Sequence, residues 1–326
     1  MIVDLHLDLL LDSALERARG RSDVFRRRHQ QALRDGGVAV QVLPMYPDDE
    51  LGGDPWQRIV AQLDAAAREE EESGGALRMV STMAELRSAV GAGAVAGVLA
   101  LENAAGLEGH PERLSELYRR GLRMVGLTWN DANAFADGVG DDRGRGITGE
   151  GWELLRRMEE LGVALDISHL APAACAAALE RFAGTVLASH ANAFAEHPSP
   201  RNLADDLLAA VGERGGVVGL AAIPAFVGSG DYAQRLAGHH ARILQVAGPA
   251  APAFGADFCG YFEPGDGPLL PATPTEEDRS LATAPEPPRE SFYRRVCQAV
   301  GERSGPAALD PLRGQNAMRL LEAVLR

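Results

Sequence analysis

The chain has 326 residues, of which 46 are acidic and 32 are basic, so its formal net charge is −14. This negative balance, without a basic patch to bind phosphates, argues against nucleic acid or an anionic membrane surface as a partner. All 32 basic residues are arginines, so Schiff-base, P-loop and carbamylated-lysine chemistry all lack the lysine that they require.

Cysteine content and apolar runs bear on the compartment. The three cysteines, Cys175, Cys259 and Cys297, are odd in number and far apart, which is not typical of a disulfide framework. No apolar run approaches the roughly 20 residues of a membrane span, and the N-terminus enters a strand without a signal segment. We therefore expect a cytoplasmic protein with no membrane partner, and a homodimer stays open as its assembly.

Eight predicted strands alternate with helices along the chain. The first strand alternates apolar and polar residues, whereas most later strands are uninterrupted apolar runs. Residues 131–146 are rich in Asp and Gly without periodicity, which predicts a functional loop. The strands are predicted at 1–8, 38–43, 95–101, 124–128, 163–167, 185–189, 216–221 and 253–256. The helices are predicted at 9–34, 57–73, 83–90, 111–120, 152–161, 172–182, 203–214, 232–247, 290–302 and 306–325.

The order and composition of these elements predict the fold. Apolar strands that alternate with helices are typical of a parallel sheet buried on both faces. Eight such units most naturally close into a (β/α)₈ TIM barrel. An open doubly wound sheet is the alternative, but no Gly-x-Gly-x-x-Gly follows the first strand. We expect one barrel domain over 1–326, with a long Pro-, Gly- and acid-rich loop at 260–288 and C-terminal helices at 289–326 packed on the barrel.

Histidines and acids recur where the predicted strands end. In a barrel, the carboxyl ends of all strands lie on one face, which is the face where catalytic residues gather. We therefore expect these side chains to converge on a single site. They are His6 and Asp8 after the first strand, Glu102 after the third, His169 after the fifth, His190 after the sixth and Asp257 after the eighth.

The residue types in this set favour a metal centre. Imidazole and carboxylate without thiolate suit zinc, with manganese, cobalt or iron as alternatives. Five ligands are too many for one catalytic zinc that keeps an open position, and they suit two metals about 3.5–4 Å apart that activate a shared water. Glu102 is the natural bridge because its carboxylate has two oxygens. The predicted ligands of two Zn²⁺ are His6, Asp8, Glu102, His169 and His190.

Two further residues complete the predicted chemistry. Hydrolysis of an amide requires a proton to move from the attacking water to the leaving nitrogen, and the carboxylate of Asp257 suits this transfer. Arg201 follows the sixth strand, and an arginine at the mouth of a metal site can hold a substrate carboxylate with two hydrogen bonds. Glu102 and Asp257 are therefore the predicted catalytic residues, and Arg201 is a predicted substrate-binding residue.

Two acids lie close to the predicted ligands in the sequence. Asp4 shares the predicted strand face of His6 and Asp8, where it either orients a ligand or makes a buried polar contact. Asp166 is expected inside the barrel, where it could support a histidine ligand.

Short stretches of the chain match one known family in order and spacing. They are Asp4-Leu-His6-Leu-Asp8, Leu101-Glu102-Asn103, Leu127-Thr-Trp129-Asn130, Ala136-Asp137-Gly138, Gly146-Ile-Thr-Gly149, the run from Leu161 to His169, Ala188-Ser-His190, Arg201-Asn202-Leu203, Gly255-Ala-Asp257-Phe258 and Gly314-Gln-Asn316. On these motifs the chain resembles the membrane (renal-type) dipeptidase family, the M19 metallopeptidases. This resemblance implies a (β/α)₈ barrel of the metallo-dependent hydrolase type with two zinc ions, one held by His6 and Asp8, the other by His169 and His190, and both bridged by Glu102. It also implies acid–base work by Asp257 and substrate binding by Arg201.

The chain departs from the renal-type pattern near the substrate. Those enzymes carry a histidine where Trp129 stands, and an indole N–H can only donate a hydrogen bond. Trp129 and Asn130 are therefore predicted to line the substrate site, with Asn130, Arg143 or Arg145 as the replacement for that histidine. Cys259 stands where the family pattern has a second acid.

The predicted activity is hydrolysis of the amide bond of a small dipeptide or a dipeptide-like substrate. A first alternative keeps the metals but cleaves a lactam, a lactone or another amide of specialised metabolism. A second alternative is a degenerate barrel that binds a ligand without turnover, and Trp129 and Cys259 are the residues that motivate it.

Overall fold

The computed structural model describes residues 1–260 and 275–326. Its strands run parallel to one another and are short, and most of their residues are buried. They are β1 (Ile2–Asp4), β2 (Val38–Met45), β3 (Leu77–Val80), β4 (Val95–Leu101), β5 (Met124–Gly126), β6 (Ala164–Asp166), β7 (Val186–Ala188), β8 (Val217–Leu220) and β9 (Pro252–Phe254).

Eight of these strands close into a barrel. β1 pairs with both β2 and β9, β2 pairs with β4, and the order then runs through β5, β6, β7 and β8 back to β9. β3 pairs with the first half of β4, on the side where β5 pairs with its second half. The predicted (β/α)₈ barrel is confirmed, and β3 is a strand that the sequence pattern missed because Leu77-Arg78-Met79-Val80 is only four residues long and contains a charged arginine.

Helices cover the outside of the barrel, and several begin at a capping residue. Asp54 and Gln57 form a capping box at the start of α3, and Thr82 and Glu85 form another at the start of α4. The helices are α1 (Leu9–Ala18), α2 (Gln30–Gly36), α3 (Pro55–Glu72), α4 (Met83–Gly91), α5 (Glu112–Arg119), α6 (Gly149–Leu161), α7 (Pro172–Arg181), α8 (Asp205–Glu213), α9 (Pro224–Val227), α10 (Tyr232–Ala247), α11 (Glu276–Ala282), α12 (Arg289–Ser304) and α13 (Asn316–Val324).

The last helix, α13, packs against one end of the barrel. Leu320 and Val324 share a buried cluster with Val3 and Val98 of the barrel strands. The guanidinium of Arg319 donates to backbone carbonyls that immediately precede β8 and β9. The helix therefore covers the amino-terminal end of the barrel and leaves the carboxyl end open for chemistry.

Some predicted segments differ from the structure. The helix predicted at 9–34 is interrupted between α1 and α2, where Gly20 and Asp23 adopt positive φ angles of 78° and 59° that a helix cannot contain. Within the loop predicted at 260–288, residues 261–274 lie outside the described residues, and α11 occupies part of the remainder. The predicted loop at 131–146 contains only isolated β-bridges.

Among residues 1–260 and 275–326, every helix is too short or too polar to cross a lipid bilayer.

Candidate metal centre

Glu102 is the centre of the site. It directly follows β4, and its Oε1 lies 3.6 Å from Nε2 of His6, 2.9 Å from Nε2 of His169 and 3.7 Å from Nε2 of His190. These four side chains come from the ends of four different strands, and each is less than 10% exposed. The barrel thus brings three imidazoles to one carboxylate oxygen.

Two more carboxylates lie on the His6 side of the site. Nε2 of His6 is 3.6 Å from Oδ1 of Asp8 and 3.7 Å from Oδ1 of Asp257. Asp257 also approaches a second histidine, because its Oδ2 lies 4.0 Å from Nε2 of His190. All six residues predicted at strand ends therefore meet at the carboxyl end of the barrel.

The donor atoms of this cluster fit a metal. Possible ligand atoms lie within 4.8 Å of one another in two groups, His6 with Glu102 and His190, and His6 with Asp8 and Asp257. Nε2 of His6 and Oδ1 of Asp8 are buried and make no hydrogen bond within residues 1–260 and 275–326. Buried polar atoms are normally paired, and these two are a nitrogen and an oxygen of the types that bind zinc. A cation between them would satisfy both.

The acids and His6 in the cluster shift one another's pKa. Burial raises the pKa of Glu102 to about 8 and that of Asp257 to about 7, although His6 and Arg201 oppose both shifts. Burial alone would lower the pKa of His6, but Glu102, Asp8 and Asp257 outweigh it and raise that pKa to about 10. Several carboxylates crowded in a buried site form a group whose ionised state a bound cation would favour.

His169 and His190 differ from His6 in their electrostatics. Burial, together with the positive charges of Arg201 and His6, holds the pKa of both imidazoles well below its ordinary value. Both rings are therefore neutral at physiological pH. Neutral imidazole is the form that ligates a metal.

Asn130 contacts a predicted ligand directly. Its Oδ1 lies 2.9 Å from Nδ1 of His169, so it can accept the ring N–H and leave Nε2 directed at Glu102. Trp129 lies beside the same histidine, with ring centroids 5.8 Å apart. Tyr46, which sequence reasoning missed, packs against Trp129 at 5.3 Å and follows β2 directly.

Arg201 lies inside the site and is only 2% exposed. Its guanidinium donates to the carbonyl of Ser168, has one nitrogen 3.2 Å from Nε2 of His169, and stacks over Phe226 at 5.3 Å. Burial lowers its pKa, and the charges of Asp257 and Glu102 oppose that shift. The structure therefore places a buried cation beside the cluster of acids.

The other arginines proposed for this region lie elsewhere. Arg143 pairs with Asp141 at an exposed position, and Arg145 pairs with the buried Asp137 within the same loop. Both guanidinium groups hold the 131–146 loop together, so neither replaces the family histidine in this structure.

Asp4 does not share the face of His6, which corrects the prediction from strand alternation. β1 ends at Asp4, and the alternation does not continue beyond it. The carboxylate accepts hydrogen bonds from the backbone of His6 and Ala256, from the Gln41 amide and from the Tyr293 hydroxyl of α12. Asp4 thus anchors the backbone of the site from the outer side of the barrel.

The sequence model of the membrane dipeptidases, peptidase family M19, matches residues 1–267. The chain belongs to peptidase family M19. It is therefore a metallo-dipeptidase by family, and its cluster of histidines and acids is the part of the described structure suited to the metal that the family requires.

Other proteins are similar to this M19 protein in sequence and in fold. An uncharacterised protein from the pqqA 5′ region of Klebsiella pneumoniae is 30% identical to this chain. The match covers 65% of this chain and 83% of the relative. This chain superimposes with a TM-score of 0.80 and 22% identity on the metallopeptidase dipeptidase AC of family M19, over 99% of this chain and 98% of the other. A Rhodobacter sphaeroides metallopeptidase liganded with a phosphinate mimic of L-Ala-D-Ala gives the same TM-score and identity, over 99% of both chains.

Proposed function

We propose that this M19 protein hydrolyses the amide bond of small dipeptides with two zinc ions held at the carboxyl end of its barrel. His6 and Asp8 would hold one ion, His169 and His190 the other, and Glu102 both. The observation that carries this assignment is the approach of all three imidazoles to Oε1 of Glu102, at 2.9 to 3.7 Å. A single carboxylate among three histidines from separate strands is suited to bridging.

The zinc pair, when bound, supplies Lewis-acid chemistry by lowering the pKa of water from about 15.7 to about 7 and by polarising the substrate carbonyl. The remaining work belongs to the protein. Arg201, which is buried beside the cluster, binds the free carboxylate of the dipeptide and so positions the scissile carbonyl. The half-buried rings of Trp129 and Tyr46 form the wall beside His169 against which the substrate packs.

Asp257 is the proposed proton carrier. Its pKa of about 7 is close to the pH at which a general acid–base group must both take up and release a proton. Both of its carboxylate oxygens face the histidine cluster, Oδ1 towards His6 and Oδ2 towards His190. Asp257 also has a positive φ of 56°, which is uncommon for a residue other than glycine.

Dipeptides are the proposed substrates because a structural neighbour is liganded with a dipeptide mimic and because Arg201 offers a carboxylate site. The first experiment measures metal content by elemental analysis and hydrolysis of a dipeptide panel before and after EDTA. We expect about two zinc per chain, loss of hydrolysis with EDTA, and recovery with zinc. Full activity in the metal-free protein would overturn the proposal.

A substrate panel separates the proposal from its alternatives. Dipeptides with a free carboxylate are compared with C-terminally amidated dipeptides, lactams and lactones. Preference for the free carboxylate supports the role of Arg201, and a preference for lactams or lactones reassigns the bond that is cleaved. Zinc at full stoichiometry without turnover of any compound would instead identify a binding barrel.

A further inference from the structure

A serine directly precedes the cluster histidine after β6 and the cluster histidine after β7. These pairs are Ser168-His169 and Ser189-His190. Oγ of Ser189 lies 2.8 Å from Nδ1 of His190 and 3.3 Å from Nδ1 of His6. Ser189 is 2% exposed, and the two imidazoles are 1% and 2% exposed. One buried hydroxyl therefore contacts a histidine of each proposed zinc ion, on the ring nitrogen that faces away from Glu102.

The position of the hydroxyl protons follows from Asp166. Oδ2 of this carboxylate accepts a hydrogen bond from the Ser189 hydroxyl. Its Oδ1 accepts one from the Ser168 hydroxyl, at 2.6 Å. Its Oδ1 also accepts the backbone N–H groups of Ser168 and Ser189, at 3.1 and 3.0 Å. A carboxylate that receives two backbone N–H groups acts as the acceptor, so both serine protons are directed at Asp166 rather than at each other, although the two hydroxyl oxygens lie 3.2 Å apart. The oxygen of Ser189 is then left with two lone pairs and no proton to give to an imidazole.

We propose that Asp166 and Ser189 are positioning residues that fix both His6 and His190 as Nδ1–H tautomers, so that Nε2 of each ring is free to bind metal. Because Ser189 can only accept from the two rings, each ring must carry its proton on Nδ1. The inference rests on the metal assignment proposed above. Hydrogen bonds of this kind to ligating histidines fix ring orientation and raise ligand basicity.

The backbone around Ser189 holds the hydroxyl in place. An added Cβ on Gly219 of β8 would lie 1.9 Å from the Ser189 carbonyl oxygen, and one on Gly255 after β9 would lie 1.7 Å from it. Only glycine permits such a close approach of two strands to this carbonyl. The serine is therefore fixed by packing on the carbonyl side and by Asp166 on the hydroxyl side.

Ser189→Ala tests the proposal, with Ser168→Ala as the matched control. Ser168 is also buried and contacts the same carboxylate, but its hydroxyl meets the backbone N–H of His190 and the Ser189 hydroxyl, each at 3.2 Å, rather than an imidazole. Zinc affinity is measured on the full chain by competition with a chromophoric chelator. We expect Ser189→Ala to weaken it by about 10- to 100-fold, and Ser168→Ala to weaken it less. Asp166→Asn, which keeps the volume but offers an N–H to Ser189, is expected to weaken it as Ser189→Ala does.

A spectroscopic readout separates positioning from general structural support. In ¹H–¹⁵N spectra of the zinc-loaded protein, the Nδ1–H protons of His6 and His190 are expected to exchange slowly with water. They should exchange faster in Ser189→Ala and remain slow in Ser168→Ala, while thermal unfolding midpoints report on folding in both variants. Absence of stoichiometric zinc in the unmodified protein would defeat the metal assignment itself. Zinc bound normally, with affinity and Nδ1–H exchange unchanged in Ser189→Ala, would defeat only this inference.

Discussion

Oδ1 of Asn130 lies 2.9 Å from Nδ1 of His169, across the mouth of the barrel. Asn130 follows β5 and His169 follows β6, so this contact joins two neighbouring βα loops. The amide oxygen accepts the ring proton and keeps Nε2 directed at Glu102, 2.9 Å away. The residue that the sequence assigned to the substrate thus also orients a proposed metal ligand.

Replacement of Asn130 should therefore affect metal binding more than substrate binding. We expect Asn130→Ala to lower zinc affinity by about 10-fold and to leave KM for a dipeptide nearly unchanged in zinc-saturated protein. Asn130→Asp keeps an acceptor at Nδ1 and is the matched control, with zinc affinity close to the unmodified value. A raised KM with normal zinc affinity in Asn130→Ala would return this residue to the substrate site.

Removal of the Arg201 charge should affect only substrates that carry a free carboxylate. A hydrogen-bonded pair with a charged group contributes about 1.5–3 kcal/mol, so kcat/KM for such dipeptides should fall by roughly 10- to 150-fold in Arg201→Met. Arg201→Lys should recover part of this loss, because an ammonium keeps the charge but not the two-pronged geometry. C-terminally amidated dipeptides serve as the internal control, and an equal loss on both substrates would contradict the assignment.

The stability of the metal-free protein should fall as the pH rises from about 7 to about 9. Folded Glu102, with a pKa of about 8, keeps its proton up to about pH 8, and folded His6, with a pKa of about 10, keeps its proton through the whole range. The unfolded chain has already released them near pH 4.3 and 6.5, so it binds fewer protons and gains relative stability as the pH rises. In the zinc-loaded protein the ligands are already deprotonated, so this loss should be absent.

Urea denaturation at both ends of this pH range, with and without zinc, measures the effect. Glu102→Gln cannot ionise and should show a smaller loss of stability in the metal-free state than the unmodified protein. Parallel pH dependences with and without zinc would show that these groups do not couple to metal binding.

Gly255 should tolerate no side chain. Its added Cβ would lie 1.7 Å from the Ser189 carbonyl oxygen, a contact that requires two backbone segments to separate. We expect Gly255→Ala to destabilise the fold by at least about 1–3 kcal/mol and to weaken zinc binding, because the shift displaces the Ser189 hydroxyl. Gly91 at the end of α4 is the control, since its Cβ would meet nothing within 4 Å and alanine there should be neutral or stabilising by about 0.5–1 kcal/mol. Equal unfolding midpoints for the two variants would contradict the packing argument.

The sequence by itself determined the barrel and the membership of its site. The sequence alone grouped His6, Glu102, His190 and Asp257, because each follows a predicted strand and parallel strands in a barrel end on one rim. The M19 motifs predicted the same residues, and the family match confirmed the resemblance. Periodicity in the chain is a local property, and it is enough to count strands and to find their ends.

Only the tertiary structure decided what each polar side chain near the rim contacts. Strand alternation placed Asp4 with His6, yet β1 ends at Asp4 and the carboxylate bonds to Tyr293, 289 residues away in the chain. The pairing of Ser189 with His6 joins residues 183 positions apart, and no local pattern encodes such a contact. Hydrogen-bond partners depend on distances of a few tenths of an ångström between separate strands, and those distances are fixed only when the barrel closes.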